Sequence, residues 1–269
     1  KVAYVTAEKE MAEGCEDAVL AALSADESLN VVKMFATDVN IEGFDAAIVQ
    51  ESLGGGDAIL KPEGALGLAN LSVPTIYNKL YAMKDGRAFT SVGKAATGKE
   101  AGETVLTITK TKESSLFEGV FAEGAKEAQM FVGTANDTGA EGTKALNYAA
   151  GVENAGTQLA TPTGVEAAVA INYIKAGEVL GDATLKTNVL TLGMNYGALN
   201  VPGNVTEANI QLWKNAVAIM TGAKELTIED LPNALNAPVV LNKVFANNGV
   251  VYVNAAEAAV INVYSMTGS

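Results

Sequence analysis

Apolar positions along the chain fall into short unbroken runs that suit buried strands and into three- and four-residue steps that suit helices. Lys1-Val2-Ala3-Tyr4-Val5-Thr6 reads as an opening strand. Ala12, Cys15, Val19, Ala22 and Leu23 then share one helical face, which turns Cys15 toward the core. Residues 29–35 and 44–50 read as the second and third strands, the third so continuously apolar that both its faces are expected to be covered. Leu53-Gly54-Gly55-Gly56 is a loop, and Pro62 is the expected first-turn residue of a helix carrying Ala65, Leu66, Leu68 and Ala69. Val73-Pro74-Thr75-Ile76-Tyr77-Asn78 returns as a fourth strand. This alternation predicts an α/β fold, a mostly parallel sheet with helices on both faces.

The middle of the chain changes rhythm. Residues 104–109, 129–132 and 169–173 read as further strands, partly antiparallel, separated by stretches rich in Gly, Thr, Ala and Glu. Residues 188–194 form another buried strand. Thr206 opens a helix with Glu207 in its first turn, Ile210, Trp213, Val217 and Met220 inward, and Gly222 as its stop. Residues 1–222 thus read as the main domain. Residues 223–245 read as a polar linker containing Glu229-Asp230 and Pro232, and residues 246–269 as a small β segment. In that segment Val250-Val251-Tyr252-Val253 and Val260-Ile261-Asn262-Val263-Tyr264 are expected to be strands joined through residues 254–259. The ending Thr267-Gly268-Ser269 stands where a turn and a further strand are expected, as in a processed or truncated tail.

Composition narrows the chemistry. Lys+Arg 18 against Asp+Glu 31 gives a formal charge of -13, which repels phosphate backbones and anionic headgroups and argues against nucleic acid as a partner. The carboxylates are interspersed with apolar residues, the pattern of a solvated surface. No apolar run reaches the ~18 residues of a membrane span, so no transmembrane segment is expected. Cys15 is the one cysteine and there is no histidine, which removes internal disulfides, thiolate zinc clusters and Cys-His catalysis. No cofactor or metal is called for. Oxygen ligands such as Asp137 and Glu141 lack the twelve-residue loop pattern of a calcium site.

Several segments together resemble the class I glutamine amidotransferase-like superfamily, in particular its trehalose-utilisation branch. They are the opening strand and helix, Gly43-Phe44-Asp45-Ala46-Ala47-Ile48-Val49, Ser72-Val73-Pro74-Thr75-Ile76-Tyr77 and Ser115-Leu116-Phe117-Glu118-Gly119-Val120. To these add Val189-Leu190-Thr191-Leu192-Gly193-Met194 with the helix at residues 209–217. The resemblance implies a flavodoxin-like sheet and, in active members, a cysteine at a strand-to-helix elbow facing a histidine base. Here the elbow falls at Tyr77-Asn78-Lys79-Leu80, and Ser114 or Ser115 stands where the histidine would. The family's catalytic residues do not carry over, so a degenerate, non-catalytic domain is expected. In the tail, Asn248-Gly249-Val250-Val251-Tyr252-Val253 and residues 259–268 resemble the start of the C-terminal sorting domain of the type IX secretion system. That implies export from a Gram-negative bacterium to the exterior or outer cell surface, with the outer-membrane secretion machinery as a partner. A plain β-hairpin is the alternative.

In a parallel sheet ligands bind at the C-terminal strand edge. That edge gathers Thr6 with Glu8, Gln50 with Glu51 and Ser52, Asn78 with Lys79, and Asn195 with Tyr196. Glu8, Glu51, Ser52, Asn78, Lys79, Asn195 and Tyr196 are the candidate ligand-binding residues, suited to a carbohydrate or another small polar ligand. Lys79 is either a desolvated base or a structural partner of Glu51. The functional alternative is a carbohydrate-active hydrolase using Glu8 and Glu51 as paired carboxylates. The Ala- and Val-rich stretch 164–174 is a candidate surface for self-association.

Overall fold

The structure is a computed structural model that describes residues 1–80, 105–137, 145–150, 156–165, 167–180, 183–231, 241–247 and 250–255. The chain divides into two units, Lys1–Glu229 and Asp230–Ser269. The strands are β1 (Val2–Thr6), β2 (Val31–Phe35), β3 (Ala46–Val49), β4 (Thr75–Tyr77), β5 (Thr107–Lys110), β6 (Lys112–Ser114), β7 (Glu127–Gln129), β8 (Ala149–Ala150) and β9 (Thr157–Pro162). They continue with β10 (Ala168–Val169), β11 (Ile171–Ile174), β12 (Val179–Leu180), β13 (Ala183–Thr184), β14 (Val189–Leu192), β15 (Ile228–Asp230), β16 (Leu241–Asn247) and β17 (Val250–Ala255). The helices are α1 (Ala18–Ser24), α2 (Tyr196–Leu199) and α3 (Glu207–Met220).

Nine strands form one mixed sheet in the order β2-β1-β3-β4-β14-β11-β9-β5-β7. From β2 to β14 every pairing is parallel; from β14 to β7 every pairing is antiparallel. Strand β14 is therefore the seam, with β4 parallel on one side and β11 antiparallel on the other. The fold is α/β with a large mixed sheet and few helices. Period-2 alternation sends Val2, Tyr4 and Ile48 to one face, where Val19 and Leu23 of α1 and Trp213 and Val217 of α3 cover them. Ala3, Val5, Val49 and Tyr77 take the other face, against Leu53, Leu60, Leu66 and Leu71.

The second face is where the expected architecture changes. The helix predicted from Pro62 does not form, and the crossover from β3 to β4 is built of turns with single 3-10 turns at Ala58–Leu60 and Leu68–Asn70. Among the described residues this face is thus covered by leucines on loops and turns, not by an α-helix. Glycine is the reason: a Cβ at Gly64 would lie 2.3 Å from the carbonyl oxygens of Ala58 and Ile59, so the chain folds back more tightly than any side chain allows. The Tyr77 hydroxyl donates to the Leu66 carbonyl at 2.9 Å and ties this turn to the sheet.

The first helix is shorter than its apolar spacing predicts. It starts at Ala18 because Asp17 caps it, accepting from the Leu20 N–H at 2.9 Å. Ala12 is exposed and Cys15 half-buried in the loop before it, so Cys15 is not a core residue. The predicted strand at 129–132 is displaced to β7, and Phe131 instead bridges to Val205. Helix α3 has its expected cap: Thr206 Oγ1 accepts from the Asn209 N–H and donates to the Gln129 carbonyl. Trp213, Val217 and Met220 are buried as expected, while Ile210 is half-buried. Gly222, with φ +79, follows its last turn.

Two further expectations change. From residue 168 on, the apolar side chains of 164–174 are not spare surface, because Ala168, Val169, Ala170, Ile171, Tyr173 and Ile174 are buried and β11 is an interior strand of the sheet. In the second unit β16 and β17 form an antiparallel hairpin in which Asn247 pairs with Val250. Strand β16 begins inside the stretch read as a linker. The strand expected at 260–264 and the residue Glu141 lie outside the described residues.

Candidate functional site

Strand order reverses between β1 and β3, and the C-terminal ends of β1, β3, β4 and β14 gather the polar residues of this edge. Gln50 and Asn78, each the residue after its strand, are fully buried and carry carboxamides into the space above the sheet. The Asn78 carboxamide clamps three elements. Its Oδ1 accepts from the Met194 N–H at 2.9 Å, and its Nδ2 donates to the Met194 carbonyl at 2.9 Å and to Gln50 Oε1 at 2.8 Å. Gln50 Nε2 donates to the Tyr4 hydroxyl at 2.7 Å, and that hydroxyl donates to both Asp17 oxygens, at 2.8 and 2.7 Å. From the other side the Tyr196 hydroxyl donates to Asp17 Oδ2 at 2.9 Å and accepts from Thr6 Oγ1 at 3.3 Å.

The donors that run from Asn78 through Gln50 and Tyr4, and the Tyr196 hydroxyl, converge on Asp17, a carboxylate only 7% exposed. Two phenols and the Leu20 N–H replace the water that its charge gives up on burial. Burial, and then the charge of Asp17, push the Tyr4 and Tyr196 phenols well above the ordinary tyrosine value. Both tyrosines are therefore hydrogen-bond donors across the physiological range, not nucleophiles.

A second cluster adjoins the first. Lys79 Nζ lies 3.0 Å from Glu51 Oε1 and 2.5 Å from the Glu51 carbonyl, with the two side chains 5% and 21% exposed. Glu51 Oε2 accepts from the Tyr196 N–H at 3.2 Å. Of the two readings of Lys79, the structure has the pair with Glu51. Ser52 Oγ accepts from the Ala7 N–H at 3.0 Å and lies 2.8 Å from Thr6 Oγ1. Asn195 is occupied in capping α2, accepting from the Ala198 N–H at 3.1 Å. Backbone crowding fixes this corner: a Cβ at Gly193 would lie 2.0 Å from the Asn147 carbonyl oxygen.

Six of the seven candidate residues, Glu51, Ser52, Asn78, Lys79, Asn195 and Tyr196, thus stand at one sheet edge; Glu51 bonds to Lys79 and Tyr196, and the others bond mainly to neighbouring residues of the same edge. Glu8 lies exposed in the loop after β1. The Glu51 carboxylate is engaged on both oxygens, so it does not stand open as the second acid of a Glu8–Glu51 pair. Ser114 and Ser115 also have structural work. Ser114 Oγ accepts from the Leu116 N–H, while Ser115 Oγ donates to the Glu225 carbonyl at 2.7 Å and accepts from the Thr227 N–H at 2.9 Å.

Sequence reasoning missed Asp17 and Tyr4, the centre of the network. The signal for Asp17 was its place just before Ala18-Val19-Leu20, where a helix cap belongs. Tyr4 gave none, since an aromatic residue within a strand reads as core. Among the described residues, open cavities lie elsewhere as well, such as one of about 250 Å³ beside Asn40, Glu42 and Ser72 and one of about 210 Å³ between α1 and the start of α3. Among the described residues no group of His, Cys, Asp and Glu could hold a metal ion, and no helix is long and apolar enough to cross a membrane. Compared with protein-family models, curated proteins and solved structures, the chain finds no match.

Proposed function

We propose that the protein is a non-catalytic, exported or cell-surface component whose degenerate amidotransferase-like domain serves a binding or structural role. The observation that carries this is the state of the elbow. Asn78 and Lys79, at the position of the family's nucleophile, are buried and engaged by Gln50, Met194 and Glu51. Neither offers an attacking atom, and the adjoining phenols are held protonated by burial and by Asp17. The order β2-β1-β3-β4-β14 of the parallel half supports the flavodoxin-like part of the reading, because it is the order of that sheet type with β14 as fifth strand. A carbohydrate or other small polar ligand would meet the edge at Glu51, Ser52 and Tyr196.

The test is turnover. The purified chain, incubated with a panel of amides and aryl glycosides, is expected to release no product above buffer. Hydrolysis that disappears in Glu51→Gln would overturn the non-catalytic reading in favour of a carboxylate-dependent hydrolase. The export part is tested separately, by expressing the chain with and without residues 246–269 in a bacterium with type IX secretion. Surface exposure that requires those residues is expected; equal localisation of both forms would remove the sorting role.

A further inference from the structure

Between β1 and α1, residues 7–17 cross the C-terminal sheet edge without regular structure. One end is fixed by the Ala7 N–H on Ser52 Oγ at 3.0 Å. The other is fixed by Asp17 within the tyrosine network and by the Glu16 N–H on the Asn200 carbonyl at 3.2 Å. Between these ends the segment is also held at Asp137. The Lys9 ammonium pairs with its carboxylate, and the Cys15 thiol donates to its carbonyl at 3.8 Å. Asp137 is buried beside α2: its side chain is 4% exposed, and a Cβ on Gly197 in the first turn of α2 would lie 3.1 Å from its Oδ1.

Electrostatics sets this segment against its own anchor. Glu8, Glu10, Glu13 and Glu16 are all exposed along it, with Lys9 the one cation among them. Repulsion among the four carboxylates favours a lifted segment, and the Lys9–Asp137 pair opposes it. Gly14, at φ +79, gives the middle a turn that other residues adopt with strain.

We infer that residues 7–17 form an ionic strap, latched by Lys9 on Asp137, whose release uncovers the Ser52–Tyr196 end of the edge network to small polar solutes. What the strap uncovers rests on the reading of this edge as the ligand side; that it opens does not.

Cys15, the chain's one cysteine, sits beside the latch and reports on it. The experiment follows the rate at which the intact chain reacts with the uncharged thiol reagent N-ethylmaleimide, with Trp213 fluorescence confirming that the fold persists. In the native protein the reaction is expected to be much slower than in urea. Lys9→Met and Asp137→Asn should each speed it about fivefold, the factor set by a pair worth about 1 kcal/mol. Raising NaCl to ~0.5 M screens the pair and the carboxylate repulsion together, so it should narrow the gap between the native rate and those of the variants. Equal rates in native protein and variants, or a native rate already equal to that in urea, would overturn the strap. The two variants remove opposite partners of the pair, so either decides the matter where the other folds poorly, and the absence of any ligand for the edge would leave the thiol result standing.

Discussion

Replacing Asn78 by alanine is the sharpest test of the idea that the elbow is a structural clamp. The substitution removes three hydrogen bonds of 2.8 to 2.9 Å and leaves the Met194 N–H, the Met194 carbonyl and Gln50 Oε1 without that partner at a fully buried position. A buried polar group left unpaired costs about 1–3 kcal/mol. The carbonyl is the more tolerant of these, and Gln50 Oε1 keeps a long contact of 3.4 Å from the Glu51 N–H. The expected loss is therefore about 3–5 kcal/mol, a large share of the roughly 5–15 kcal/mol that holds a domain together. Trp213 is the chain's one tryptophan, 1% exposed in the main unit, so urea unfolding followed by its fluorescence reads that unit directly. The midpoint should fall with the slope unchanged. Asn78→Asp separates polarity from volume, because it keeps Oδ1 for the Met194 N–H but sets an oxygen against two acceptors. It should destabilise at least as much as alanine. A loss below about 1 kcal/mol in both variants would refute the clamp, since unpaired buried groups of this kind do not go unnoticed.

The same denaturation assay checks Glu51→Gln, which leaves the Lys79 ammonium, 5% exposed, without its carboxylate and should cost about 1–3 kcal/mol. Gly193→Ala forces a Cβ to within 2.0 Å of the Asn147 carbonyl and should lower stability by roughly 2 kcal/mol or more; a variant as stable as the parent would show that this corner yields freely. The raised phenols of Tyr4, Tyr77 and Tyr196 make stability pH-dependent in one direction. Their contribution is complete below about pH 10, the unfolded value, and is lost as pH rises through the folded values, because the folded state then holds the protons longer. Absorbance of phenolate near 295 nm should therefore rise for these three only as the fold opens, and reversible ionisation of all the tyrosines near pH 10 in the folded state would contradict their burial.

The parallel half of the sheet was legible because strands buried on both faces leave unbroken apolar runs, as in Val2 to Val5 and Ala46 to Val49. Helix α3 was legible for a different reason, its cap at Thr206 and its stop at Gly222 bracketing an apolar stripe. The crossover after β3 misled, since the spacing of Ala65, Leu66, Leu68 and Ala69 suits a helix while Gly64 and Gly67 fold the backbone against carbonyls too close for one. Apolar spacing alone does not separate a helix from a loop that buries leucines. At the edge, strand ends predicted which polar residues would gather, but not that they would pair with each other or that Asp17 would be the centre. That arrangement depends on residues 4, 17, 50, 78 and 196, and no local pattern joins positions so far apart.

The seam at β14 has a consequence for the order in which the molecule can be made. Val189 to Thr191 pair with Thr75 to Tyr77 on one side, and Val189 to Leu192 pair with Ile171 to Ile174 on the other. Without residues 189–192 the sheet would be two rafts, each with a raw flank, β4 on one and β11 on the other. Flanks of that kind invite pairing with other chains, and closures between distant parts of a chain are slow. A chain stopped before Val189 would thus be more aggregation-prone than either the finished protein or a short early fragment, and β14 itself welds the two rafts into one sheet.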